Sequence, residues 1–182
     1  PAAPAATPAT PTPADNAAAQ PAAAPADGSA QAPAPAAPQG PAPIAGVDYL
    51  PIANGQPLQP GSGRIEVAEV FGYTCPHCAT FEPELSAWKK RQPADVSVVQ
   101  VPAPFGGNWD PYVRAYYTAE AMGIAGKSHD GIFKAIHIDR TLKGERGSDT
   151  PQDIAQAYAA FGADPAQFTS TMASFTVNAK FG

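Results

Sequence analysis

The sequence predicts an α/β domain that opens strand–helix–strand and runs on into an all-helical block, behind a tail with no core of its own. Three observations carry this. Composition breaks near residue 46, two short β-branched segments flank one helical segment, and every periodic stretch after the second has helical spacing.

The tail comes first. Of the 182 residues, the first 46 hold 20 Ala and 12 Pro, carry only Asp15 and Asp27 as charges, and include no aromatic residue. Proline recurs too often for the alanines to nucleate a helix, so residues 1–46 are expected to be a disordered, polyproline-biased linker. Residues 47–182 hold every Lys and Arg, and the net charge of −5 is a mild acidic excess there. The only basic run, Lys89-Lys90-Arg91, reads as the solvated C-terminal end of a helix, so nothing suggests nucleic acid. No apolar stretch approaches the ~20 residues that span a bilayer. The chain starts at Pro1 rather than Met, so a signal peptide is expected to have been removed, and an upstream membrane anchor is left open.

The elements follow in order. Tyr49–Gln59 reads as an edge segment and turn, with Asn54-Gly55 and Gly61-Ser62-Gly63 as turn signals. Arg64–Tyr73 is a strand, Thr74–Arg91 a helix stopped by Pro93, and Asp95–Val101 a second strand ended by prolines. Four helices are predicted next. Asp110-Pro111 opens the first with Asp110 as N-cap, Ser128–His137 is the second, and Thr150-Pro151 opens the third. Asp164-Pro165 opens the fourth with a capping box to Gln167, and Phe168, Met172 and Phe175 follow as core positions. A sheet begun this way needs more strands to cover its helices, so the closing strands are expected beyond residue 182.

The chemistry sits where the first strand hands over to the first helix, at Cys75-Pro76-His77-Cys78. With Cys75 as N-cap, Pro76 takes the first helical position and loses nothing by lacking an N–H. The free N–H groups of His77 and Cys78, the helix dipole and the His77 ring then all favour a thiolate at Cys75. Cys78, one turn in, is expected to be buried and to resolve mixed disulfides. A thiolate exists only in the reduced pair, so stabilising it makes the pair oxidising. A value two units below ambient pH would correspond to about 2.7 kcal/mol, or roughly 60 mV. Zinc is not expected, because there is no third Cys and His129 and His137 are eight residues apart. An inert disulfide is not expected either, since so small a loop removes little chain entropy.

Glu69 alternates with Ile65, Val67 and Phe71 on one sheet face, where a buried carboxylate could shuttle the proton of Cys78. The other reading is an edge acid, as for Glu66. Glu82, seven residues after Cys75, either joins that network or is solvated. Phe105, Trp109, Tyr112 and Tyr116 are either core or an apolar surface near the cysteines.

At FGYTCPHCATFEPEL, with Glu69 six places before the motif and Phe81-Glu82 just after it, the sequence resembles the DsbA family of periplasmic thiol:disulfide interchange proteins. The resemblance extends over about residues 47–182. It implies a thioredoxin-like fold with a helical insertion at about residues 106–175, and oxidation of folding envelope proteins without a cofactor beyond the Cys75–Cys78 disulfide. It further implies substrate proteins with free thiols and a quinone-linked membrane reoxidase of DsbB type as partners, and a periplasmic location. The family's cis-Pro loop and last strands are not in this chain. Gln100 stands where some relatives have Lys, which leaves Glu69 and Glu82 without a cation. Alternatives are a reductase or isomerase on the same scaffold and a non-catalytic, chaperone-like binding module.

Overall fold

The computed structural model describes residues 40–181. Most of the Ala/Pro-rich linker expected at 1–46 lies outside them. Strand β1 (Ile65–Phe71) leads into helix α1 (Pro76–Lys89), which returns to strand β2 (Val96–Pro102). The two strands pair in parallel, with Glu69 directly opposite Gln100, so these side chains share a sheet face. Helices α2 (Asp110–Ala121), α3 (Ala125–His137), α4 (Pro151–Ala159), α5 (Pro165–Met172) and α6 (Phe175–Phe181) follow.

Local sequence accounts for most of these boundaries. Thr150 caps α4 through the Asp153 N–H, and the Asp153 carboxylate answers on the Thr150 N–H, a reciprocal box. Asp164 caps α5 through the Gln167 N–H, and only this half of the expected box forms. Asp110 is not the N-cap of α2. Trp109 holds that place, and the Asp110 carboxylate accepts from the Gly106 N–H at 3.0 Å, tying the preceding loop instead. Helix α3 begins at Ala125, three residues ahead of expectation. Pro83 sits inside α1, where it removes the N–H that the Ala79 carbonyl would otherwise receive.

Two expectations fail for clear reasons. Phe175 is 87% exposed rather than core, because α5 ends at Met172 and a separate helix starts at Phe175, which breaks the spacing of Phe168 and Met172. The segment Tyr49–Gln59 turns at Ala53-Asn54 as expected but forms no edge strand. Pro51 and Pro57 lack the N–H a ladder needs, and apart from an isolated bridge between Ala45 and Tyr49 its anchor is the Glu66 carboxylate, which accepts from Leu58 and Gln59 N–H at 2.7 Å each.

The core lies between the sheet and the helices. Phe71, Tyr73, Tyr112, Tyr116, Ile132, Phe133 and Ile136 bury the site end, and Tyr158 stacks on Phe168 at 4.4 Å further out. Tyr112 and Tyr116 are therefore core. Phe105 is 75% exposed and packs edge-on against Trp109, whose indole covers Gly72. A Cβ on Gly72 would fall 1.9 Å from that ring, so the residue that follows β1 can only be glycine if Trp109 keeps its seat. Gly72→Ala is expected to destabilise the chain by about 1–3 kcal/mol through overpacking, measured by urea unfolding. Unchanged stability would show that Trp109 does not rest there.

Candidate functional site

The turn after β1 positions Cys75 and Cys78. The Phe71 and Tyr73 side chains are buried, so the chain is anchored immediately before Thr74 and Cys75. The Cys75 N–H donates to the Gly72 carbonyl at 3.1 Å, and the Cys75 carbonyl receives the Ala79 N–H, starting α1. His137 of α3 braces the same turn, with Nε2 2.7 Å from the Tyr73 carbonyl. Cys75 is the N-cap of α1, with extended backbone angles and Pro76 in the first helical position. Its sulfur accepts the Cys78 N–H at 3.4 Å. Of the two donors expected at that sulfur, the Cys78 N–H alone makes the contact among the described bonds.

Both cysteines are free and half-buried. Cys78 is thus less covered than expected, because its neighbours Pro76, His77 and Thr80 face outward while only its inner side meets the core. Burial is still the main influence on the Cys78 thiol and pushes it up. A Gly72 backbone hydrogen bond opposes this, and Cys75 and the negative charge of Glu69 add to it. His77 is exposed on the second helical position, outside the described hydrogen bonds.

Beneath the pair lies a polar network that the sequence only partly disclosed. Glu69 is mostly covered, and its Oε2 accepts from Gln100 Nε2 at 3.0 Å. Glu82, 4% exposed, accepts from Ser86 Oγ at 2.8 Å and lies 3.3 Å from His129 Nε2. The network does have a cation. Lys89 Nζ is 3.5 Å from an oxygen of Glu69 and 3.5 Å from one of Glu82. The expectation of a solvated Lys89-Lys90-Arg91 run therefore fails at Lys89, whose stem folds back two turns along α1 and replaces the missing charge at Gln100. Glu82 to Lys89 is a spacing of seven, one helix face, and could have been read. His129 could not, since it reaches the site only by the packing of α3 on α1 and β2.

Oxygens of Glu69 and Glu82 and a nitrogen of His129 lie within 4.8 Å of one another, a donor set that could hold a cation. The Lys89 ammonium already supplies positive charge to both carboxylates.

No family model matches the chain. It is similar to the thiol:disulfide interchange protein DsbA of Pseudomonas aeruginosa, 39% identical over 131 residues, which are 71% of this chain and 59% of that protein. It is also similar to DsbA of Azotobacter vinelandii, 43% identical over 118 residues, covering 65% of this chain and 53% of the relative. The crystal structure of the oxidoreductase DsbA from Xylella fastidiosa superposes with a TM-score of 0.72 at 44% identity, covering 76% of this chain and 73% of that one. The chain spans a little over half the length of the curated relatives it matches.

The network makes stability depend on pH. Burial alone would raise the Glu82 carboxyl, but hydrogen bonds from His129 and Ser86 and the charges of His129 and Lys89 outweigh it and hold the group below its ordinary value. An unfolded Glu titrates near 4.3, so on acidification the unfolded chain takes up this proton first. The contribution of Glu82 is therefore complete above about pH 4.3 and is lost as pH falls through the lowered folded value. The Tm difference between the chain and its Glu82→Gln variant should narrow over that acid window. A difference independent of pH there would show that Glu82 carries no such linkage.

Proposed function

The chain belongs to the DsbA family of thiol:disulfide interchange proteins, and from that membership we propose that it oxidises protein dithiols through Cys75 and Cys78. The observation that carries the proposal is the unequal setting of the two sulfurs. One caps a helix and receives a backbone N–H, while burial holds the proton on the other.

The reaction follows from that inequality. A substrate thiolate attacks Cys75 Sγ of the Cys75–Cys78 disulfide, a new S–S bond forms, and the old one breaks with its electron pair on Cys78. Cys78 then takes a proton, which its raised pKa favours. A second substrate thiolate attacks the substrate sulfur of the mixed disulfide, and Cys75 leaves as a thiolate beside the helix N-terminus, a setting that suits a leaving anion. Two electrons pass from the substrate dithiol to the pair. His77, exposed at the second helical position, adds a polar group beside Cys75, and Glu69 is the acid that exchanges a proton with Cys78. The substrates fitting this chemistry are folding periplasmic proteins with free thiols, and a quinone-linked membrane partner of DsbB type would restore the disulfide.

Cys75→Ser should reduce disulfide transfer to a reduced peptide to the uncatalysed rate, and Cys78→Ser should trap a mixed disulfide on Cys75, both read by mass spectrometry. Alkylation of the reduced chain near neutral pH should label Cys75 ahead of Cys78, because the Cys78 thiol keeps its proton. Equal labelling, or a trapped adduct on Cys78, would overturn the assignment of roles.

A further inference from the structure

Beside Cys75 lies an open groove of about 480 Å³ between α1 and α3. The two helices run antiparallel, which two contacts fix. Glu82 in the middle of α1 meets His129 near the start of α3, and His137 at the end of α3 reaches the Tyr73 carbonyl just ahead of α1. Each helix gives the groove one face. Pro76, Ala79, Thr80 and Pro83 stand at i, i+3, i+4 and i+7 along α1, and Asp130, Phe133, Lys134 and His137 repeat that spacing along α3. The half-buried Ala79 and the buried Phe133 lie deepest, and Ile138, 72% exposed, stands at the rim.

The groove starts at the residue after Cys75. The two Cα atoms of a disulfide are about 5.5 Å apart, so a chain bonded to Cys75 lies close over Pro76. From Pro76 to Pro83 the helix rises about 10 Å, which about three residues of extended chain span. The end at Cys75 is apolar, with Pro76, Phe133 and Ile138. The far end carries a charge. Both oxygens of Glu82 are taken, by Ser86 and His129. Lys134 is held by Asp139, and Lys127, one turn before Asp130, turns its ammonium to Gly162. Asp130 is exposed and makes no ion pair among the described residues.

We propose that this groove is a specificity site for the substrate polypeptide. It receives an apolar side chain about two residues from the reacting cysteine, against Phe133 and Ile138, and a Lys or Arg about five residues from it, against Asp130. The proposal rests on the reading of Cys75 as the sulfur that substrates attack. An unfolded segment exposes both kinds of side chain, whereas a folded surface keeps most large apolar ones covered. A second copy of this chain fits less well, because its net charge of −5 brings Asp130 an excess of acid.

The test uses single-cysteine peptides in excess to reduce the oxidised 182-residue chain. Two peptide thiols become one peptide disulfide, and the Cys75–Cys78 bond takes up their two electrons and two protons. Leucine two residues from the cysteine on both sides should react about fivefold faster than serine there. Lysine five residues away should react about threefold faster than glutamate. In Ile138→Lys the leucine preference should disappear, and in Asp130→Lys the charge preference should reverse. Phe175→Lys, at another exposed apolar residue outside the groove, should keep both preferences. The leucine peptide with its cysteine replaced by serine should shift the amide resonances of Thr80 and Lys134. Equal rates for leucine and serine, a leucine preference that survives Ile138→Lys, or shifts confined to other surfaces would overturn the proposal. So would a dimer that Ile138→Lys abolishes. 2-Mercaptoethanol is too small to fill the groove and tests Cys75 alone. Reduction by it no faster than that of a free disulfide would count against the oxidase reading, while the serine peptide would still decide the groove.

Discussion

The Lys89 ammonium is what lets two carboxylates share the interior beneath Cys75 and Cys78. Glu69 comes from β1 and Glu82 from α1, and both are taken largely out of water. Unpaired, each would lose solvation and repel the other, and α1 could not lie flat on the strand without driving one of them to neutrality. Lys89 removes that obstacle from the far end of the same helix. Seating α1 this way also fixes its start, so the position of Cys75 is set partly by a charge contact at the opposite end of the helix.

A parallel pair of strands makes the arrangement possible. Because Glu69 and Gln100 are opposite one another in register, an acid on one strand always has an amide beside it on the same face. Gln100 is neutral, so it satisfies Glu69 without competing with Lys89 for charge. A cation at position 100 would leave Lys89 little to do and would repel a protonated His129. The amide brings something a cation lacks, since it can donate or accept at the same place.

The local half of this design was open to reading in the sequence. A strand, then Cys-Pro-His-Cys, then a helix follows from β-branched residues and from proline at the first helical position, and the acid at Glu69 follows from alternation along the strand. What escaped depends on distance along the chain. Lys89 meets Glu69 from twenty residues away and His129 meets Glu82 across 47, so no local period connects them. The misplacement of Phe175 has another origin. Spacing says which residues share a face only while the helix continues, and nothing in Ala173-Ser174 announced that it would stop. The half-burial of Cys78 was likewise beyond sequence, since it depends on which neighbours turn outward.

The inequality between the two sulfurs is a consequence of secondary structure rather than of unusual side chains. Any residue at an N-cap receives a backbone N–H from the helix it starts, and any residue three places later turns one side toward whatever the helix packs on. Two cysteines separated by two residues therefore differ in environment as soon as a helix begins at the first of them. In the proposed exchange, electron flow follows from that difference. The sulfur that the helix end can hold as an anion is the better leaving group, and the sulfur pressed against the core prefers either a proton or a bond. A partner for that proton is then required close by but not in open water. Glu69 on β1, mostly covered, is the acid whose negative charge adds to the upward push on the Cys78 thiol, and in the proposed exchange it is the partner for that proton.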